Sequence, residues 1–181
     1  MKTLMLGAAA AAMLHITPTV VLVKRSEVVS RLLTGAERFT AREVHLSGAD
    51  DRRLRDAAGW TPPDGLLTFY VGRHQSRVTG VLLFVRVDSP HGPMEVAVGF
   101  DGAGAIQGVE VTKATVETKP WVVEALRAGL TGSYRGLAVD AAPGGAATVK
   151  GRVGSMAVYM AELADKGVAH AGAAYRLFYR P

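Results

Sequence analysis

The chain of 181 residues contains no cysteine. Disulfides, thiolate metal sites, iron–sulfur ligation and a lipid anchor on cysteine are therefore excluded, and any redox chemistry must come from a bound cofactor. Histidine is sparse: His15, His45, His74, His91 and His170 include no pair at metal-ligand spacing, so a metal site has no support. Ser155 lies in Gly-Arg-Val-Gly-Ser-Met-Ala, which is not a nucleophile elbow, and no Ser-His-Asp order is suggested, which argues against hydrolysis. The formal charge is +5, yet the lysines and arginines are scattered rather than clustered, so a nucleic-acid partner is not indicated. No internal repeat is present, and the only low-complexity stretch is an alanine run near the start. With 49% hydrophobic and 20% charged residues the composition is that of one ordinary globular domain.

The N-terminus has one lysine followed by an apolar run from Leu4 to Leu14, with Ala10 and Ala12 placed as a small-x-small cleavage signal. Residues 1–19 are expected to be a signal peptide or a membrane-proximal segment, which places the protein in the periplasm or another extracytoplasmic space, free or membrane-anchored. An alanine-rich first helix of a cytoplasmic protein is the competing reading. Residues 20–181 are expected to form a single domain.

Along that domain, Val28, Val29, Leu32 and Leu33 predict a helix capped by Ser26 and closed by Gly35, followed by a polar connection. A second, charged helix is capped by Ser47 or Asp50 and stopped by Gly59. From Leu66 the period changes to two: the runs LLTFYV, RVTGVLLFVRV, MEVAVGF and IQGVEVTKA read as strands, the last two joined through the Asp-Gly of DGAGA as a hairpin. KPWVVEALRAGL predicts a short helix beginning near Pro120, and an extended glycine-rich passage follows. Val149, Val153, Met156, Ala157, Met160, Leu163 and Ala164 then share one helical face, with Thr148 at the N-cap and Gly167 past the end, and AAYRLFY reads as a last edge strand. The expected fold class is α+β, a twisted antiparallel sheet with helices packed on one side of it.

Thr148 admits two roles. It caps a helix, or it belongs to a phosphate seat, because a helix N-terminus presents unpaired N–H groups and partial positive charge. Gly144, Gly145, Ala146 and Ala147 are small enough for close approach, and Lys150 and Arg152 add positive charge.

The Thr68–Val71 strand, the hairpin residues Val98, Gly99, Asp101, Gly104, Ile106 and Val109, and a glycine-rich turn ending in Thr before an amphipathic helix together resemble the FMN-binding domain family. That family includes subunits of sodium-pumping NADH:quinone reductase and Rnf complexes and small exported FMN-binding proteins. The resemblance covers roughly residues 20 to 165. It implies an FMN-binding-domain-like fold, FMN bound covalently through the Thr148 hydroxyl or non-covalently in the same cleft, attachment by a separate flavin transferase, and electron transfer between redox partners. It places Gly145, Ala146, Ala147, Thr148, Val149 and Lys150 on the attachment segment, where Gly145 and Ala146 replace the family's Ser/Thr and Gly. It places Glu117 and Thr118 in a loop lining the flavin, with Trp121 next to them as a possible stacking partner or an ordinary core anchor. The alternatives are a flavin-free accessory or structural subunit of a membrane or envelope redox complex that kept the fold, and a domain for another phosphate or small anion.

Overall fold

Alternation of Val96, Val98 and Phe100 with Glu95, Ala97 and Gly99 produces a strand whose two faces differ in size rather than in polarity, and this difference organises the molecule. The computed structural model describes residues 18–179. The expected leader therefore lies outside the described residues, apart from Pro18 and Thr19. In chain order the elements are β1 (Thr19–Val21), α1 (Arg25–Leu32), β2 (Arg38–His45), α2 (Gly48–Ala58), β3 (Leu66–His74), β4 (Arg77–Val87), β5 (Met94–Asp101), β6 (Ile106–Thr115), α3 (Lys119–Arg127), a 3-10 turn (Thr131–Tyr134), α4 (Gly145–Val149), α5 (Ser155–Ala174) and a π-helical turn (Tyr175–Tyr179). The strands form one antiparallel sheet in the order β1-β6-β5-β4-β3-β2. An α+β architecture with an antiparallel sheet is what the strand periodicity predicts. No helix among the described residues is long and apolar enough to cross a membrane.

The helices lie on both faces of the sheet, not on one. The bulky face of the central strands, with Val81, Leu83, Val85, Val96, Val98 and Phe100, packs against Met160, Leu163, Ala164 and Val168 of α5. The small face takes α1: Val28, Leu32 and Leu33 form a second apolar cluster with Leu82 and Ala97. Glycines make that approach possible. A Cβ on Gly72 would stand 2.9 Å from the Ala36 Cβ and 3.2 Å from the Leu33 Cβ, and one on Gly108 would stand 2.7 Å from Leu32 Cδ2. Met94 to Phe100 are buried on both faces as a result, where a half-buried strand is the sequence expectation.

Local signals hold at α2, where the Ser47 hydroxyl accepts from the Asp50 N–H, the Asp50 carboxylate accepts from the Ser47 N–H, and Gly59 closes the helix in the left-handed region at φ 63°. They fail elsewhere. Lys24, not Ser26, precedes α1, and no side chain caps it. The polar connection contains a full strand, β2, which is exposed along almost its whole length. The AAYRLFY segment is helical rather than a strand, because Tyr175 and Tyr179, one turn apart, stack on each other and reach Phe100 and Phe69 on the sheet. Gly167 is inside α5 and not beyond it; its missing side chain lets the helix sit against Val96, whose Cβ would be 3.0 Å from a Cβ there.

Pairing of β3 with β4 ends at Tyr70 opposite Leu82, and beyond it a cleft of about 390 Å³ opens between the two strands. Trp60, on the α5 side of this cleft, stacks on His170 with ring centroids 4.9 Å apart. Burial, with Lys166 adding to it, lowers the His170 pKa from 6.5 to about 4.

Two outcomes follow. Replacing Gly72 with Ala forces the end of α1 away from the sheet and should cost about 1–3 kcal/mol, read from urea unfolding midpoints. His170 stays neutral when folded but takes a proton near pH 6.5 when unfolded. Stability should therefore be full above pH 6.5 and fall as the pH drops from there to about 4. His170→Phe, which keeps the stack on Trp60, should remove that slope from a pH series of unfolding curves.

Candidate functional site

The segment that carries Thr148 does not open the long helix. Gly145–Val149 forms α4, a helix of five residues; Gly151 then takes φ 78°, and α5 begins at Ser155 behind Gly154. Thr148 therefore sits in the last turn of α4 rather than at an N-cap, with its hydroxyl donating to the Gly144 carbonyl at 3.1 Å. Its side chain is exposed, as are Ala147 and Lys150, whereas Gly145 and Val149 are buried and Ala146 is half-buried.

The N–H groups that a phosphate would use are already taken. Gly145 N–H donates to Asp165 Oδ1 at 2.9 Å and Ala146 N–H donates to Asp165 Oδ2 at 3.0 Å. A carboxylate reaching across from the middle of α5 thus fills the first turn of α4, satisfying orphan donors and matching the positive end of the helix. Gly145 is small for a packing reason: a Cβ there would stand 2.1 Å from the Tyr134 hydroxyl and 2.6 Å from Leu130 Cδ1. Tyr134 is buried behind it. Burial and then the Asp165 charge keep its phenol protonated, well above its usual range. A phosphate at the head of α4 would meet the Asp165 charge and find the two leading amides occupied, whereas the Thr148 hydroxyl lies exposed in the last turn.

The second predicted group lies at the β6–α3 corner. Thr118 is buried, and its hydroxyl and N–H are consumed by Thr115: Thr115 N–H donates to Thr118 Oγ1 and Thr118 N–H donates to Thr115 Oγ1, both at 3.1 Å. That reciprocal pair builds the turn into α3 and leaves Thr118 no free group for a ligand. Glu117 is exposed and meets His91, with Oε1 3.0 Å from Nδ1. The His91 ring is met edge-on by Trp121 and Tyr159, and the Thr115 hydroxyl donates to the His91 carbonyl. Trp121 is half-buried against the main core, as a core anchor is. No hydrogen bond or ion pair among the described residues joins Thr148 to Glu117 or Thr118.

The most connected polar group of the sheet was not among the predicted residues. Glu95, buried in β5, accepts two hydrogen bonds from Arg25, one from the Thr112 hydroxyl at 2.8 Å and one from Lys113 at 3.2 Å. Burial alone would raise its carboxyl; the hydrogen bonds from Arg25 and Thr112 and the Arg25 charge outweigh that and hold it below its usual range. The signal was present as a lone acid within an apolar strand, but its partners come from α1 and β6. The Arg25 guanidinium lies 4.7 Å above the Phe84 ring, at the mouth of the β3–β4 cleft, which Trp60, Tyr70 and Arg86 also line.

No protein-family model and no curated protein matches this chain.

Asp165 anchors α4 to α5, so Asp165→Ala should lower stability by about 1–2 kcal/mol in denaturant unfolding. Thr148→Ala, at an exposed position with one local bond, should stay within about 0.5 kcal/mol of the parent.

Proposed function

We propose that this protein is a flavin-free docking module of a membrane or envelope redox assembly, built on an FMN-binding-domain-like fold and acting outside the cytoplasm. One observation supports the reading: Asp165 occupies the leading amides of α4, so the chain supplies its own anion at the head of the segment on which the family resemblance puts the attachment threonine. Two buried or half-buried carboxylates, Asp165 and Glu95, spend their charge on internal donors, which suits a scaffold better than a relay.

A second reading, FMN held non-covalently for electron transfer between redox partners, is favoured by the β3–β4 cleft. Trp60, Tyr70 and Phe84 line it, together with Arg25, which is paired with Glu95, and Arg86, which is paired with Asp88.

The test is coexpression with a flavin transferase, acid precipitation and intact-mass measurement. A colourless pellet, a colourless supernatant and an unmodified chain are expected. Flavin released to the supernatant would favour the second reading. A yellow pellet with an FMN mass increment that disappears in Thr148→Val would overturn the proposal and restore Thr148 as the anchor.

A further inference from the structure

The sheet is split between two of its inner strands. The β3–β4 ladder stops at Tyr70 opposite Leu82, although β3 stays paired with β2 as far as Leu66 and β4 stays paired with β5 as far as Val87. The Leu46 N–H donates to the Gly65 carbonyl at 2.8 Å, in the register of the β2–β3 ladder. Because backbone groups alternate in direction along a strand, Leu67 and Phe69 turn theirs toward β2, and Leu66, Thr68 and Tyr70 turn theirs toward β4. On the opposite wall, the residues in step with Leu82 are Phe84 and Arg86. The N–H and C=O groups of Thr68, Phe84 and Arg86 therefore point into the cleft, past the end of the ladder that would have joined them; the Leu66 N–H is taken by Asp64. The volume, about 390 Å³, falls within the range of roughly 300–1,000 Å³ usual for small-molecule sites.

We propose that this cleft binds a neutral planar heterocycle with a donor–acceptor pair on two opposite edges, the pattern of an oxopurine base. Each wall offers the N–H and C=O of one residue side by side, the pair that facing residues of an antiparallel ladder exchange, and an adjacent ring N–H and C=O meets it in the same way. The faces of such a ring meet aromatic side chains. Trp60 lies on the α5 side, and Tyr70 and Phe84, edge to face at 5.5 Å, lie on the α1 side. Charge selects a neutral ligand: Arg25 is engaged by Glu95 and Arg86 by Asp88, and Asp64, which forms no ion pair among the described residues, disfavours an anion. Shape selects a ring over an extended peptide, because the walls converge to ladder spacing at Tyr70–Leu82, whereas an inserted strand needs about 4.8 Å on each side along its whole length. The binding site goes beyond the docking reading and does not rest on it.

Calorimetric titration of the purified chain with hypoxanthine should show saturable binding at a single site. Urate, a related bicycle that carries a negative charge at neutral pH, should bind about tenfold more weakly or worse. Caffeine, an oxopurine with every N–H methylated, should not bind. Thr68→Pro removes one N–H from the cleft and no bond from the β2–β3 ladder, so it should weaken hypoxanthine about tenfold, while Thr68→Ser should titrate like the parent. Trp60→Leu, which uncovers the α5 side, should give a loss of its own, with circular dichroism establishing that each variant is folded. Absence of hypoxanthine binding up to millimolar concentration would overturn the proposal. So would caffeine or urate binding as tightly as hypoxanthine, or folded Thr68→Pro and Trp60→Leu variants that both titrate like the parent.

Discussion

The burial of β5 on both faces is the constraint that the rest of the structure answers to. Seven consecutive residues from Met94 to Phe100 are shielded from water, and one layer of helices cannot shield two faces. The bulky face needs the long α5, and the small face needs α1 brought close enough to touch backbone. That closeness accounts for the glycines at 72, 99 and 108, because a methyl group at any of them would meet Ala36, Leu32 or Leu33. It also accounts for Arg25. Once α1 lies on the small face, Glu95 of β5 is enclosed beneath it and has to be paired.

The treatment of acids is consistent across the molecule. Glu95 spends its charge on Arg25, Thr112 and Lys113, and Asp165 spends its charge on two backbone amides of α4. Each holds two distant parts of the chain together: β5 to α1, and α5 to α4. An acid used in this way is satisfied before any ligand arrives. In the folded chain the two leading amides of α4 are therefore already occupied.

Much of the sheet was legible in the sequence, because a period of two in apolar residues survives whatever packs on the strand. β3 to β6 and the Asp-Gly hairpin follow from that pattern, as does the Ser47–Asp50 cap of α2, whose chemistry is local. β2 was not legible, since an edge strand exposed on both faces has no alternation to display. The boundary between α4 and α5 was not legible either. Val149 and Val153 keep the helical spacing across Gly151, and the break appears only in the backbone angles from Lys150 to Gly154. Gly167 was read as a stop because glycine commonly ends helices, and its actual role depends on how near Val96 lies. The site residues divided the same way: Glu117 and Thr118 form the turn into α3, and no hydrogen bond or ion pair among the described residues joins them to Thr148.

By itself the sequence determined the class of the fold: strands from alternation, helices from caps and period, and so an α+β architecture. Only the tertiary structure decided which faces are covered and which polar groups remain available. Alternation says that a strand has two faces but not what lies on each, and a helix terminus says that donors exist but not whether a side chain twenty residues away has filled them. Asp165 fills those at α4. Among the described residues the sheet ends on β1 and on β2, and no local pattern marks the outer edge of β2.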